Sequence, residues 1–193
     1  MDKGAFGEGL IFFELEKLSK PTKILTNIYL PTEEGTTELD LICITTSGIY
    51  VIESKNYSGW IFGSLNSKYW TSMIHGKKYK FFNPIWQNKK HIKYLQVLFP
   101  EREITSLIVF SERCEFKKLS IGKNIVIKRR QLKRTLRNHQ STTIISEEII
   151  NQIYTILKKY SNQSQEVKQQ HIQKIQKSIE GLSKIPKKNL KSY

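Results

Sequence analysis

The chain has 193 residues, 38% of them apolar and 11% aromatic, and carries 32 Lys and Arg against 17 Asp and Glu for a formal charge of +15. That length suits one domain with an appendage and is enough to bury a substantial core. Two isolated cysteines exclude a disulfide-stapled secreted scaffold, and no apolar run approaches the roughly 18 residues that a bilayer span requires.

The charge favours polyanions, whether nucleic acid or an acidic membrane face, although a solvated Lys-rich surface would give the same composition. Cys43 and Cys114 have no CxxC neighbour and read as small buried hydrophobes in a reducing compartment. The opening MDKGAFGEG lacks the basic start and apolar core of a signal peptide, so a cytoplasmic protein without a membrane partner is expected.

In chain order, an amphipathic helix is expected over residues 10–18, starting near Gly4, with Ile11, Phe12, Leu15 and Leu18 on one side. Pro21 closes it. TKILTNIYL is a first strand, and two longer strands follow at 37–45 and 49–56, joined by a tight hairpin at Ser47-Gly48. Residues 59–82 alternate short aromatic runs with turn signals and read as a meander extending that sheet. NPIWQNKKHIKYLQVLF begins a helix cleanly, because Asn83 can cap it and Pro84 suits its first position. ITSLIVF and NIVIK are further strands, and helical segments are expected over 130–138 and 146–160. Beyond Tyr160 the chain turns to Gln and Lys, with Ile172, Ile175, Ile179 and Leu182 forming a short heptad-like stripe. That stripe suits a helix docked on its own domain, or one joining a homo-oligomer or a partner helix.

Three charges interrupt the apolar hairpin: Asp40, Glu53 and Lys55. Side chains alternate along a strand, so Glu53 and Lys55 share a face, and the expected turn sets Asp40 opposite Lys55 and diagonal to Glu53. Ile42 and Val51 continue that face, while Leu39, Leu41, Cys43, Tyr50 and Ile52 fill the other. A one-residue slip would scatter the cluster. An Asp40–Lys55 salt bridge, worth about 0–1 kcal/mol on an exposed face, is one reading. It leaves Glu53 unexplained, since neighbouring carboxylates repel. A hard divalent cation such as Mg²⁺, which takes one or two carboxylates plus water and phosphate oxygens, is the other.

The ordered set of a helix bearing Glu, an Asp on one strand and Glu-x-Lys on the next resembles the PD-(D/E)XK nuclease superfamily. More narrowly, GAFGEGLIFFEL, ELDLICITTSGIYVIESKNYSGWIFG, the later YW and NPIWQNKKHIKYL resemble the nuclease-related domain, or NERD, family. The likeness covers roughly residues 4–110. It implies a restriction-endonuclease-like α/β core, with a central mixed β-sheet flanked by helices, over residues 1–160. A basic helical tail would follow over 161–193. It further implies an Mg²⁺- or Mn²⁺-dependent deoxyribonuclease, with RNA left open as a substrate. Asp40, Glu53 and Glu8 would hold the metal, Lys55 would assist the attacking water, and Gln87 would reach toward the metal site or the DNA. Leu39-Asp40 stands where the superfamily has Pro-Asp.

Each of these residues also has a plainer account. Glu8 lies near a helix N-terminus, where the dipole favours acids. Gln87 suits a solvent-facing position, His91 suits packing or surface, and His75 suits a turn. Residues 113–137 hold ten basic residues against Glu115, and the chain from Lys158 onward holds nine lysines against two glutamates. These are either solvated faces or phosphate contacts. Trp60, Tyr69, Trp70, Tyr79 and Phe81, interleaved with lysines, are read mostly as core, with base stacking the alternative. Two rival functions remain at this level. One is a nucleic-acid-binding module on a nuclease scaffold with little or no catalysis. The other is an interaction protein recruiting a partner through the 172–182 stripe.

Overall fold

The computed structural model describes residues 3–139 and 144–161. The heptad-like stripe and the rest of the expected tail beyond Ser161 lie outside them. Helix α1 (Lys3–Glu16) precedes three strands, β1 (Thr22–Thr32), β2 (Gly35–Thr45) and β3 (Gly48–Lys55). The aromatic meander forms β4 (Gly59–Ser64), β5 (Tyr69–Ile74) and β6 (Lys77–Phe82). Helix α2 (Pro84–Leu98) leads to β7 (Ile104–Phe110), β8 (Cys114–Ser120) and β9 (Ile125–Lys128). A single 3₁₀ turn (Arg129–Gln131), α3 (Leu132–Asn138) and α4 (Glu147–Ser161) complete the described chain.

The strands make two mixed sheets, in line with a restriction-endonuclease-like core. The first has the order β1-β2-β3-β7-β9, antiparallel up to β3 and parallel from there on. The second has the order β6-β5-β4-β8. The meander therefore does not extend the first sheet, as expected, but builds one of its own with β8, a strand the sequence reading passed over. Alternation along a strand shows which face is buried but not which neighbour it pairs with.

Helices cover both faces of the first sheet. Leu95, Ile150, Ile153 and Leu157 of α2 and α4 pack on Ile42, Ile44, Ile49 and Val51. On the other face, Ile11 and Leu15 of α1 and Leu132 and Leu136 of α3 pack on Leu41, Cys43, Tyr50 and Ile52. Asn83 caps α2 through its side chain, which accepts from the Ile85 N–H at 3.0 Å, as its position before Pro84 suggests. Cys43 and Cys114 are both free and buried. Among the described residues no helix is long and apolar enough to cross a membrane.

Two short connections join the sheets and run side by side. Residues 56–58 lead from β3 to β4, and residues 111–113 lead from β7 to β8. Ser111 donates its N–H to the Lys55 carbonyl at 3.0 Å and its hydroxyl to the Tyr57 carbonyl at 2.5 Å. Gly59 N–H reaches the Arg113 carbonyl at 3.1 Å, and the Arg113 guanidinium donates to Asn56 Oδ1 at 2.8 Å.

Candidate active site

The hairpin turn falls at Thr46-Ser47, so β2 and β3 pair Thr45 with Gly48 and Leu41 with Ile52. Thr45 Oγ1 accepts the Ser47 N–H at 3.1 Å, which holds Ser47 at the tip of the turn and leaves Gly48 to open β3. The register is thus shifted by two from the expected one. Continued one pair further, it sets Asp40 opposite Glu53 and diagonal to Lys55, reversing their expected relation. A shift of two preserves faces, so the cluster survives.

A second departure aims Asp40. The β1–β2 ladder pairs Thr26 with Leu41 and Ile28 with Leu39, and passes over Asn27 and Asp40 between them. Asn27 has φ +53°, a left-handed conformation that Asn tolerates better than most residues. On one side of this kink Leu41 packs toward α1; on the other, Leu39 packs with Ile28 and Leu30 toward α2 and α4. Leu39 therefore does not share the face of Leu41, as strict alternation had placed it. Asp40 sits at the crossover, where its Oδ2 accepts the Ser54 N–H at 2.8 Å.

Glu53 is only 1% exposed, and such a group is rarely buried unless paired. Lys55 Nζ donates to its Oε1 at 2.5 Å and to Gln87 Oε1 at 3.1 Å. His91 Nε2 stands 3.4 Å from Glu53 Oε2, too far for a good hydrogen bond, and both atoms are buried with no hydrogen-bond partner. The other His91 nitrogen, Nδ1, meets Thr37 Oγ1 at 2.8 Å. Asn88, on the same helix, donates to the Val51 carbonyl at 2.9 Å and to Ser106 Oγ at 2.8 Å, tying α2 to β3 and β7.

The fields in this cluster are strong. Burial pushes the Asp40 carboxyl up to about 8; the charge of Glu53 adds to this, and Glu8 adds further, against the Ser54 N–H and Lys55. Burial also acts to raise Glu53, but its contacts with His91 and Lys55 outweigh that and hold it below the usual carboxylate range. Glu8, half-buried on α1, lies near enough for its charge to be felt at Asp40 and at Tyr29. Gly7 permits that approach. A Cβ there would meet Asn56 Cβ at 2.9 Å and Ser54 Oγ at 3.2 Å, forcing α1 away from β3.

Asp40, Glu53, Lys55 and Gln87 are therefore brought together, with Glu8 at the margin. Missed from the sequence was His91, read as packing or surface. It follows Gln87 by four positions and so shares its helix face, but its contact with Glu53 depends on α2 crossing β3, which no local pattern announces. Beside the cluster lies a cleft of about 500 Å³, lined by Lys55, Asn56, Tyr57, Tyr79 and Arg113 among others. A larger hollow, about 790 Å³ along the outer side of α2, touches none of the cluster. Among the described residues no three His, Cys, Asp or Glu side chains form a metal cage by themselves. Two carboxylates that repel one another on adjacent inner strands of a sheet, one with an unpartnered oxygen, nonetheless make a donor set that a hard cation suits, the remaining positions going to water.

An α/β core that sets an Asp and a Glu-x-Lys on adjacent strands, backed by a helix glutamine, is of the restriction-endonuclease-like class. The chain belongs to the nuclease-related domain (NERD) family, whose pattern it matches over residues 3–111. An uncharacterized protein of Bacillus anthracis is 34% identical to it over 161 residues, covering 81% of this chain and 76% of that one. No solved structure matches it.

Proposed function

We propose that the protein hydrolyses phosphodiester bonds of DNA at the Asp40–Glu53–Lys55 cluster with the help of Mg²⁺ or Mn²⁺. The observation that carries this reading is a pair of mutually repelling carboxylates on the neighbouring strands β2 and β3, one of them bonded to a lysine that lines an open cleft. Asp40 and Glu53 would hold the cation, with Glu8 joining directly or through water. Bound there, the cation would supply charge stabilisation to the phosphate as a Lewis acid.

The chain's own groups do the rest. Lys55, held between Glu53 and Gln87, orients the attacking water by donating to its oxygen. Gln87 and His91 keep Lys55 and Glu53 in register, and Arg113 at the cleft mouth steadies a phosphate. The water oxygen forms the new P–O bond as the ester P–O bond breaks, leaving a phosphate monoester and a free hydroxyl.

The test is incubation with supercoiled plasmid and single-stranded DNA in Mg²⁺ or Mn²⁺, beside Asp40→Ala and Lys55→Ala proteins shown by circular dichroism to be folded. Each substitution is expected to slow cutting by about 10²–10⁴-fold while salt-dependent binding persists. Equal cutting by all three proteins would refute the assignment. Binding without cutting by the parent would favour the catalytically silent module instead.

A further inference from the structure

The second sheet has two faces of opposite character. Its inner face is core where Ile61, Trp70 and Phe81 are buried in a cluster that includes Phe110 of β7, and opens to the cleft at Tyr79. Its outer face presents rings to solvent: Trp60, Tyr69 and Phe82 are 45%, 51% and 41% exposed. Strand aromatics ordinarily pack inward, so three exposed on one surface require a reason.

Register sets two of them side by side and the third on the same face, four residues further along β5. β5–β6 pairing sets Tyr69 opposite Phe82, with ring centroids 6.3 Å apart, and sets Lys80 opposite Thr71 and Lys78 opposite Met73. Trp60 lies opposite Met73 in the next strand. At the far edge, Phe62 pairs with Lys118, and Lys117 Nζ lies 4.9 Å above the Trp60 ring. Glu115, the one acidic residue in these four strands, is bridged to Lys117 at 2.7 Å. Cations thus line both edge strands, Trp60 and Tyr69 stand on the two middle strands, and Phe82 ends the β6 edge beside Tyr69.

That layout matches one ligand chemistry. Lysines hold phosphates without regard to sequence, while exposed π faces stack bases that are not already paired. A duplex keeps its base faces stacked internally and would leave the rings unused. The C-terminal stretch of this chain, with nine lysines against two glutamates from Lys158 on, would be repelled from the surface. We propose that the outer face of the second sheet is a platform for single-stranded nucleic acid, stacking unpaired bases on Trp60, Tyr69 and Phe82 beside the lysines of its two edge strands. The choice of nucleic acid over an acidic bilayer rests on the nuclease reading above. The surface itself involves none of Asp40, Glu53 or Lys55.

The experiment uses the full chain in EDTA, so that cutting is held off. Fluorescence anisotropy compares a labelled oligothymidylate, a duplex of equal length and vesicles of anionic phospholipid. Trp60→Ala and Tyr69→Ala are each expected to weaken single-strand binding about five- to a hundred-fold, with Trp60→Phe recovering most of it and duplex binding nearly unchanged. Lys78→Glu with Lys80→Glu should make that binding less sensitive to salt. Unchanged oligothymidylate binding by the Trp60→Ala, Tyr69→Ala double variant would overturn the platform. So would equal losses on duplex, or losses confined to vesicles. Cleavage assays separate this from the catalytic reading. Cutting with ring-independent binding refutes only the platform, whereas ring-dependent binding by a parent protein that cuts nothing refutes only the nuclease.

Discussion

In the first sheet a carboxylate is almost wholly hidden, and its neighbours are an ammonium, an imidazole and a second acid. On the outer face of the second, lysines stand in water around three exposed rings. Charge that is buried has its energy set by a few named atoms, so it acts only in one geometry and is costly to leave unpaired. Charge that is exposed is screened, replaceable and tolerant of what it binds. On the two proposals above, the first sheet would be the place for chemistry and the second the place for contact.

The largest effect should come from breaking the hidden pair. Lys55→Met strands Glu53 in a site where it is 1% exposed, and should lower stability by about 3–5 kcal/mol in EDTA at neutral pH, read from urea midpoints. Millimolar Mg²⁺ should restore part of that loss. A midpoint equal to the parent's would show that Glu53 does not depend on Lys55.

The two faces of the second sheet offer an internal control of comparable size. Trp70 is buried, stacked on Phe110 with centroids 6.2 Å apart, and seated over Gly63, where any Cβ would collide with its ring. Trp70→Ala should cost about 3–5 kcal/mol, whereas Trp60→Ala on the outer face should stay within about 0.5 kcal/mol. Similar losses at both positions would contradict the division into a core face and a contact face.

The gentlest effect, read per pH unit, is in pH dependence. Asp40 titrates near 3.8 when unfolded and is pushed up to about 8 when folded, so the folded state holds more protons across that interval. Its contribution to stability is present at low pH and is lost as pH rises toward 8, by at most about 1.4 kcal/mol per pH unit. Glu53, shifted downward, acts oppositely and loses its contribution in acid. Asp40→Asn should flatten the loss above pH 4 in metal-free urea titrations. A slope identical to the parent's would mean that Asp40 is not the group responsible.

Much of the fold was legible because its signals are local. Apolar spacing marked α1 and α4, Asn83-Pro84 marked the start of α2, and β-branched runs marked β1, β2, β3 and β7. The turn was read one residue late because Ser47-Gly48 has the more familiar composition, while the Thr45 hydroxyl in fact caps Thr46-Ser47. β8 was missed because CEFKKLS puts its charges outward and leaves few apolar residues to show a period. The split into two sheets was out of reach, since pairing partners are decided by packing between distant segments. At the site, Asp40, Glu53 and Lys55 could be grouped by strand alternation with the family likeness. The kink at Asn27 and the approach of His91 could not, since one is a backbone choice of an ordinary residue and the other a tertiary crossing.

The paired connections between the sheets have a practical consequence for rearranging this chain. New ends opened at the His75-Gly76 bend between β5 and β6, where both residues take left-handed φ angles, would leave the double seam whole. Ends opened within residues 56–58 would unfasten the stretch that Ser111 and Arg113 clasp, immediately after Lys55. A circular permutant of the first kind should keep its lysine anchored, and one of the second kind should let it drift. Halves exchanged between relatives would have to cross over at both seams together.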